Sequence, residues 1–262
     1  YEYFKNYPNQ IKVITSENNV GSRENELRTL QGCTGKYIAF CEGDDYWTDL
    51  HKLQKQIDFL EKNPDYGLVH GDVDHLKNKT GEVTEAFNRT NNIKIPNGDI
   101  FKFLMYPSHS IKTMTVCIRK ELFQKYYLSN KEIMQSNWAL TDISIWLMIA
   151  YHSKIHYFDE VFATYRLLPE SNSRTKDSKK IHQFHKKIYE IFFYYADKYC
   201  DSENIKKDIE ILYNKMIMND AYILRDKEMA KEAIIQLKIL NYNFSYKEKV
   251  NYFINQFLKN II

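Results

Sequence analysis

Lys36-Tyr37-Ile38-Ala39-Phe40-Cys41-Glu42-Gly43-Asp44-Asp45-Tyr46-Trp47-Thr48-Asp49 begins as an apolar run of strand length and ends in a cluster of carboxylates. Gly32 and Gly35 stand just before it, so the run reads as a buried strand that delivers Glu42-Gly43-Asp44-Asp45 at its tip. Three carboxylates within four residues repel one another unless a cation or hydrogen-bond donors offset their charge. Hard divalent ions such as Mg²⁺ or Mn²⁺ favour oxygen ligands, and Mg²⁺ often takes one or two carboxylates together with substrate phosphates. Gly43 is expected to let the backbone turn tightly and to let a ligand approach. Taken alone, the same residues equally suit an exposed acidic loop that caps the next helix through Thr48 or Asp49.

Working outward, Ile11-Lys12-Val13-Ile14-Thr15 reads as a short β-branched strand, and a helix is expected from about Ser22 to Gln31. Beyond the acidic run, Leu50, Leu53, Ile57 and Leu60 recur at helical spacing until Asn63-Pro64 stops the helix. Strand, helix, strand, acidic loop and helix is α/β organisation, which favours a parallel sheet with ligands at the strand ends. Further strands are expected at Tyr66 to Leu76, Thr113 to Arg119, Lys154 to Phe158 and Val161 to Leu167, with a helix from Trp138 to Tyr151, so that an antiparallel portion joins the parallel core. After Pro169 a polar linker leads into sequence of helical character. There Val250, Phe253, Ile254, Phe257, Leu258 and Ile261 form one apolar stripe. The boundary is expected near residue 176, giving an α/β domain over 1–176 and a helical extension over 177–262.

The 262 residues suffice for one substantial core, and 44% hydrophobic with 27% charged residues is ordinary for a globular protein. A net charge of +3 without a basic cluster argues against a nucleic-acid partner. Four widely spaced cysteines, without a Cys-x-x-Cys pair, read as reduced thiols of a cytoplasmic protein. No apolar stretch reaches the roughly 18 residues of a membrane span.

The acidic segment, continued through Lys52-Leu53-Gln54-Lys55-Gln56, resembles the metal-binding region of glycosyltransferase family 2, in the bacterial branch that writes Glu-Gly-Asp-Asp-Tyr-Trp. Asn19-Val20-Gly21 with Asn25 resembles the loop and helix upstream of that region. Thr141-Asp142-Ile143-Ser144-Ile145-Trp146-Leu147 resembles the helix start bearing the family's catalytic base, and Val161 to Arg166 followed by Ser171 resembles its closing strand. The resemblance covers about residues 10 to 175. It implies a GT-A fold and inverting transfer of a sugar from a nucleotide-diphospho-sugar, by family default a UDP-sugar. The acceptor would be a glycan or lipid-linked hydroxyl in bacterial surface polysaccharide synthesis. It also implies Mn²⁺ or Mg²⁺ on Asp44 with Asp45, a donor site of Asn25, Glu42, Asp44, Asp45 and Arg166, and Asp142 as base. Nothing before Ile11 resembles the family's nucleobase-binding unit, so the chain is expected to begin inside the domain.

Other readings stay open. Asp142 precedes an apolar helix and also suits a cap or first-turn acid. Arg166 suits a surface ion pair as well as a phosphate contact. Trp47, and His109 with Thr113 and Thr115, are candidates for the acceptor side, although an aromatic beginning a helix is more often core. His70, Asp72 and His75 are read as structural rather than as a metal cluster. Two alternatives to an enzyme remain: a nucleotide-sugar or metal-binding module without turnover, and an interaction protein docking through its tail. The apolar stripe, flanked by Lys247, Lys249 and Lys259, fits peripheral binding at the inner face of the plasma membrane as well as packing on its own domain.

Overall fold

Ile38, flanked by half-buried Tyr37 and Ala39, forms strand β1 (Tyr37–Ala39), and three residues later the chain enters the acidic turn. The computed structural model describes residues 2–107, 111–138, 141–168 and 177–245. Its remaining strands are β2 (Tyr46–Trp47), β3 (Tyr66–Lys77), β4 (Glu82–Thr84), β5 (Cys117–Arg119) and β6 (Lys154–Leu167). They join in the order β1-β5-β3-β6-β2, with β4 on β3. Helices flank this mixed sheet, as a GT-A-like α/β fold requires, and the described C-terminal part is helical.

The parallel core expected from the sequence shrinks to one junction. β5 pairs antiparallel with both β1 (Ile38 opposite Ile118) and β3 (Leu68 opposite Ile118). β1 and β3 therefore run the same way but do not touch, because β5 lies between them. β2 is antiparallel to β6. β3 and β6 run in the same direction: Lys154 N–H donates to Asp65 O at one end (2.9 Å) and Asn78 N–H to Leu167 O at the other (3.4 Å). This long pairing carries β6 unbroken through Asp159-Glu160, where two strands were expected. Gly71 of β3 packs closely against Glu160 and Phe162 of β6. A Cβ there would stand 2.5 Å from the Phe162 ring and 2.8 Å from Glu160 O. Gly71→Ala is expected to lower unfolding free energy by about 1–3 kcal/mol, read by urea denaturation, because overpacking of a sheet interior forces backbone shifts.

Several expected elements differ. Ile11 to Thr15 forms no strand; its residues are half-buried or exposed, and no strand pairs with them. Thr113–Thr115 is a 3-10 turn, so β5 is confined to Cys117–Arg119. The helix expected from Trp138 begins at Thr141 and ends at His152, with Ile145 through Ala150 all buried. A helix apolar all round belongs in an interior. The helix Lys52–Lys62 departs most from its pattern. Leu50 and Leu53 are exposed, and the buried stripe is Lys52, Gln56 and Leu60.

Two compact units emerge: residues 1–77, 81–100 and 111–166, and residues 78–80, 101–110 and 167–262. In the first, Leu60, Val69 and Cys117 pack with Phe59, Tyr66 and Phe158, and Val73, Met114 and Ala163 pack with Phe87 and Tyr165. The second contains helices Ser178–Tyr199, Glu203–Leu224 and Lys227–Ile239. Asp177, Ser202 and Asp226 cap them by accepting first-turn amide bonds. Among the described residues no helix is long and apolar enough to cross a membrane. The stripe from Val250 to Ile261, like Ser171 and His109, lies outside the described residues.

Candidate active site

The acidic turn closes on itself where Asp45 N–H donates to Glu42 O at 3.1 Å. β6 then holds it from the side. The Arg166 amide donates to Asp45 Oδ1 at 2.8 Å, Arg166 Nε donates to Asp44 O, and Nη2 reaches Gly43 O at 3.4 Å. Arg166 thus fixes the backbone of the turn that bears the carboxylates. Trp47 pins the other side: its Nε1 donates to Met114 O at 2.8 Å and lies 3.2 Å from Phe40 O. Asp49 caps nothing within the helix proper. It accepts from the His51 amide at 2.7 Å and pairs with Lys55 at 2.8 Å.

Asp142 arrives on the first turn of the helix Thr141–His152. Its Oδ1 accepts from the Ile143 amide at 2.8 Å, as a first-turn acid does, while Oδ2 accepts from the Thr113 hydroxyl at 3.0 Å. Thr113 and Asp142 also lie within electrostatic reach of the Glu42 carboxyl. The helix-borne acid and the acidic turn therefore meet around Thr113. Burial raises the Asp142 pKa above the usual carboxylate range; the Ile143 amide, Thr113 and the charge of Lys112 pull the other way. Desolvation of its carboxyl pushes Glu42 up to about 7, with Asp45 and Asp142 adding repulsion, even though the residue as a whole keeps solvent contact.

Asp45 is 8% exposed, and burial first, then Asp44, raise its pKa from 3.8 to about 6 against the pull of the Arg166 amide and guanidinium. A carboxylate raised in the folded state is harder to ionise there than in the unfolded chain. Its ionisation therefore costs nothing below about pH 4 and weighs fully above about pH 6, by no more than about 3 kcal/mol. In EDTA, Asp45→Asn should raise the melting temperature at pH 8 and leave it nearly unchanged at pH 4. Equal shifts at both pH values would contradict the burial of this charge.

The turn offers oxygen ligands only, the donor set that hard divalent ions prefer. Gly43 leaves room for the rest of a coordination shell, since a Cβ built there meets nothing within 4 Å. Its backbone is not in the left-handed region that Gly21, Gly81 and Gly98 occupy. The chain turns at Gly43 and Asp44 as expected, and what the glycine adds there is open space rather than a left-handed backbone. Among the described residues no group of three or more His, Cys, Asp and Glu is arranged to hold a metal alone. His70, Asp72 and His75 lie on β3. Asp72 is fully buried and accepts from the amides of Val73, Asn88 and Arg89. Burial lowers the His70 pKa to about 3, and His75 stacks on Phe87 at 3.7 Å.

Hydrogen bonds thus join Arg166 to the Glu42–Asp45 turn, while Asp142 and Trp47 are held by the 113–115 turn. Asn25 is exposed on the helix Ser22–Gln31, its carbonyl taken by the Thr29 hydroxyl at 2.8 Å. Thr115 is fully buried and its hydroxyl donates to Lys112 O at 2.7 Å. Thr113 faces the acids instead. In a strand the two threonines would share a face; the 3-10 turn separates them. Buried Lys52 and Gln56 behind Trp47 were read from the sequence only as part of a motif.

Three curated relatives, each titled an uncharacterized protein, come from Mycobacterium bovis and from two strains of Mycobacterium tuberculosis. Each is 42% identical over 64 residues, 24% of this chain and 18% of the relative. The chain therefore spans under a fifth of the length of the curated relatives it matches. The model described as "Glycosyl transferase family 2" matches residues 1–127, which include the acidic turn and Thr113, and this match supports that family for the chain.

Proposed function

We propose that this chain is an inverting glycosyltransferase that moves a sugar from a nucleotide-diphospho-sugar, a UDP-sugar by preference, to an acceptor hydroxyl. The observation that carries the reading is the nearness of Asp142, held by the Thr113 hydroxyl, to the tip that bears Glu42, Asp44 and Asp45: its charge adds repulsion at the Glu42 carboxyl. A base and a cluster of oxygen ligands side by side suit attack by an alcohol at an anomeric carbon whose diphosphate leaves on the far side. Asp142 takes the acceptor proton while the acceptor oxygen bonds to that carbon and the bond to the diphosphate breaks. Asp44, with Asp45 and the donor diphosphate, holds Mn²⁺ or Mg²⁺; such an ion offsets charge on the leaving group when bound. Glu42 lies toward the donor, and Arg166 acts by shaping the turn. The resemblance in sequence suggests bacterial surface glycan synthesis as the setting. The unit boundary between the α/β part and the helical part belongs to the same proposal.

A thermal-shift screen of nucleotide sugars with and without Mn²⁺ tests this. One donor should stabilise the protein only when the ion is present, and Asp44→Asn should erase that shift. Binding without transfer to any acceptor would favour a non-catalytic module, and no shift with any donor would remove the proposal. Gly43→Leu should fold normally, since nothing lies within 4 Å of its Cβ position, yet weaken donor binding at least tenfold by filling the open space. Flotation on anionic liposomes, with and without residues 246–262, tests peripheral membrane association.

A further inference from the structure

Lys52 occupies the core-facing stripe of its helix at 1% exposure, where an apolar side chain would pack without cost. Its ammonium donates to Gln56 Oε1 at 2.9 Å and sits 4.4 Å from the centre of the Trp47 ring. Burial pulls its pKa down to about 8. By fixing Oε1, Lys52 leaves Gln56 Nε2 as the donor, and Nε2 reaches Thr115 O at 2.6 Å. The Trp47 indole holds the preceding carbonyl, Met114 O. Two successive carbonyls of the Thr113–Thr115 turn are therefore gripped by the two side chains that Lys52 touches, and this turn aims the Thr113 hydroxyl at Asp142.

We propose that Lys52 is a positioning residue: through Gln56 and Trp47 it sets the 113–115 turn, and so the place of Thr113 between Asp142 and the acidic tip. The inference rests on the transferase reading. It assigns to a residue that touches no substrate a share in turnover rather than in donor binding. A hydrogen bond that fixes a neighbour's amide orientation explains why an amine is kept where a methylene chain would suffice.

The test compares wild type with Lys52→Met, which keeps the volume and removes the donor. The melting temperature should not fall, the donor KM should stay within about twofold, and kcat should drop about tenfold or more. Gln56→Leu should give the same loss, and the double variant should be no worse than either single one, since both act through one chain of contacts. Should Lys52→Met fail to fold, Gln56→Leu alone carries the kcat-against-KM comparison. Wild-type kcat in the folded variants overturns the Lys52 assignment and leaves the transferase standing. Wild-type protein without transfer to any acceptor overturns both.

Discussion

Asp142→Asn should cut turnover by about 10²–10⁴-fold while the Mn²⁺-dependent donor shift survives, the usual scale for losing a general base. The variant keeps both contacts, because the amide Oδ1 still accepts from the Ile143 amide while Nδ2, in the place of Oδ2, donates to the Thr113 hydroxyl oxygen. Only the capacity to take a proton is lost. The base works ionised, and burial raises its pKa. Activity should therefore fall on the acid side at a higher pH than an ordinary carboxylate gives. Thr113→Val removes a donor that favours the charged form, so it should move this acid limb further upward. Steady-state rates of the variants from pH 5 to 8, beside donor thermal shifts, check both statements. Near-normal transfer by Asp142→Asn would take the base away from this residue and leave the acidic tip as a binding site only.

The tip was legible because a short stretch carries its own logic: an apolar strand can only end in clustered carboxylates if something offsets them. The helices Ser22–Gln31 and Lys52–Lys62, and the long strand β3, were legible for similar local reasons. What local pattern does not contain is which strand lies beside which. β5 inserts between β1 and β3, so within the expected mixed sheet the parallel part is reduced to the β3–β6 pair. The same limit hid the partners of Arg166, which looked like a phosphate or surface residue and serves the carbonyls of Gly43 and Asp44. Lys52 and Gln56 broke the apolar stripe expected of their helix because Trp47 and Thr115 await them there, the second contact made across 59 residues of chain. Places where a local rule is broken without a local reason are where a site is to be sought.

Arg119 is such a place, and its loss should give the largest fall in stability. It is 8% exposed at the end of β5, and its guanidinium is spent on carbonyls. Nε donates to Tyr66 O at 2.8 Å; Nη2 donates to Leu60 O and to Asn63 O, the latter at 3.2 Å. Leu60 and Asn63 end the helix Lys52–Lys62, where Leu60 O also accepts from the Asn63 amide and Asn63 O from the Tyr66 amide, and Tyr66 begins β3. One side chain therefore ties helix end, strand start and β5 together, with Nη1 reaching Tyr37 Oη at 3.3 Å. Arg119→Met would remove a charged donor from three buried or part-buried carbonyls, each such bond being worth about 1.5–3 kcal/mol. A total loss of about 3 kcal/mol or more is expected in urea denaturation, with the slope unchanged. Arg119→Lys should recover only part of it, since a single ammonium cannot fork across three carbonyls. A loss below about 1 kcal/mol for Arg119→Met would mean that water replaces the guanidinium at those carbonyls, and that the helix carrying Lys52 and Gln56 is anchored from elsewhere.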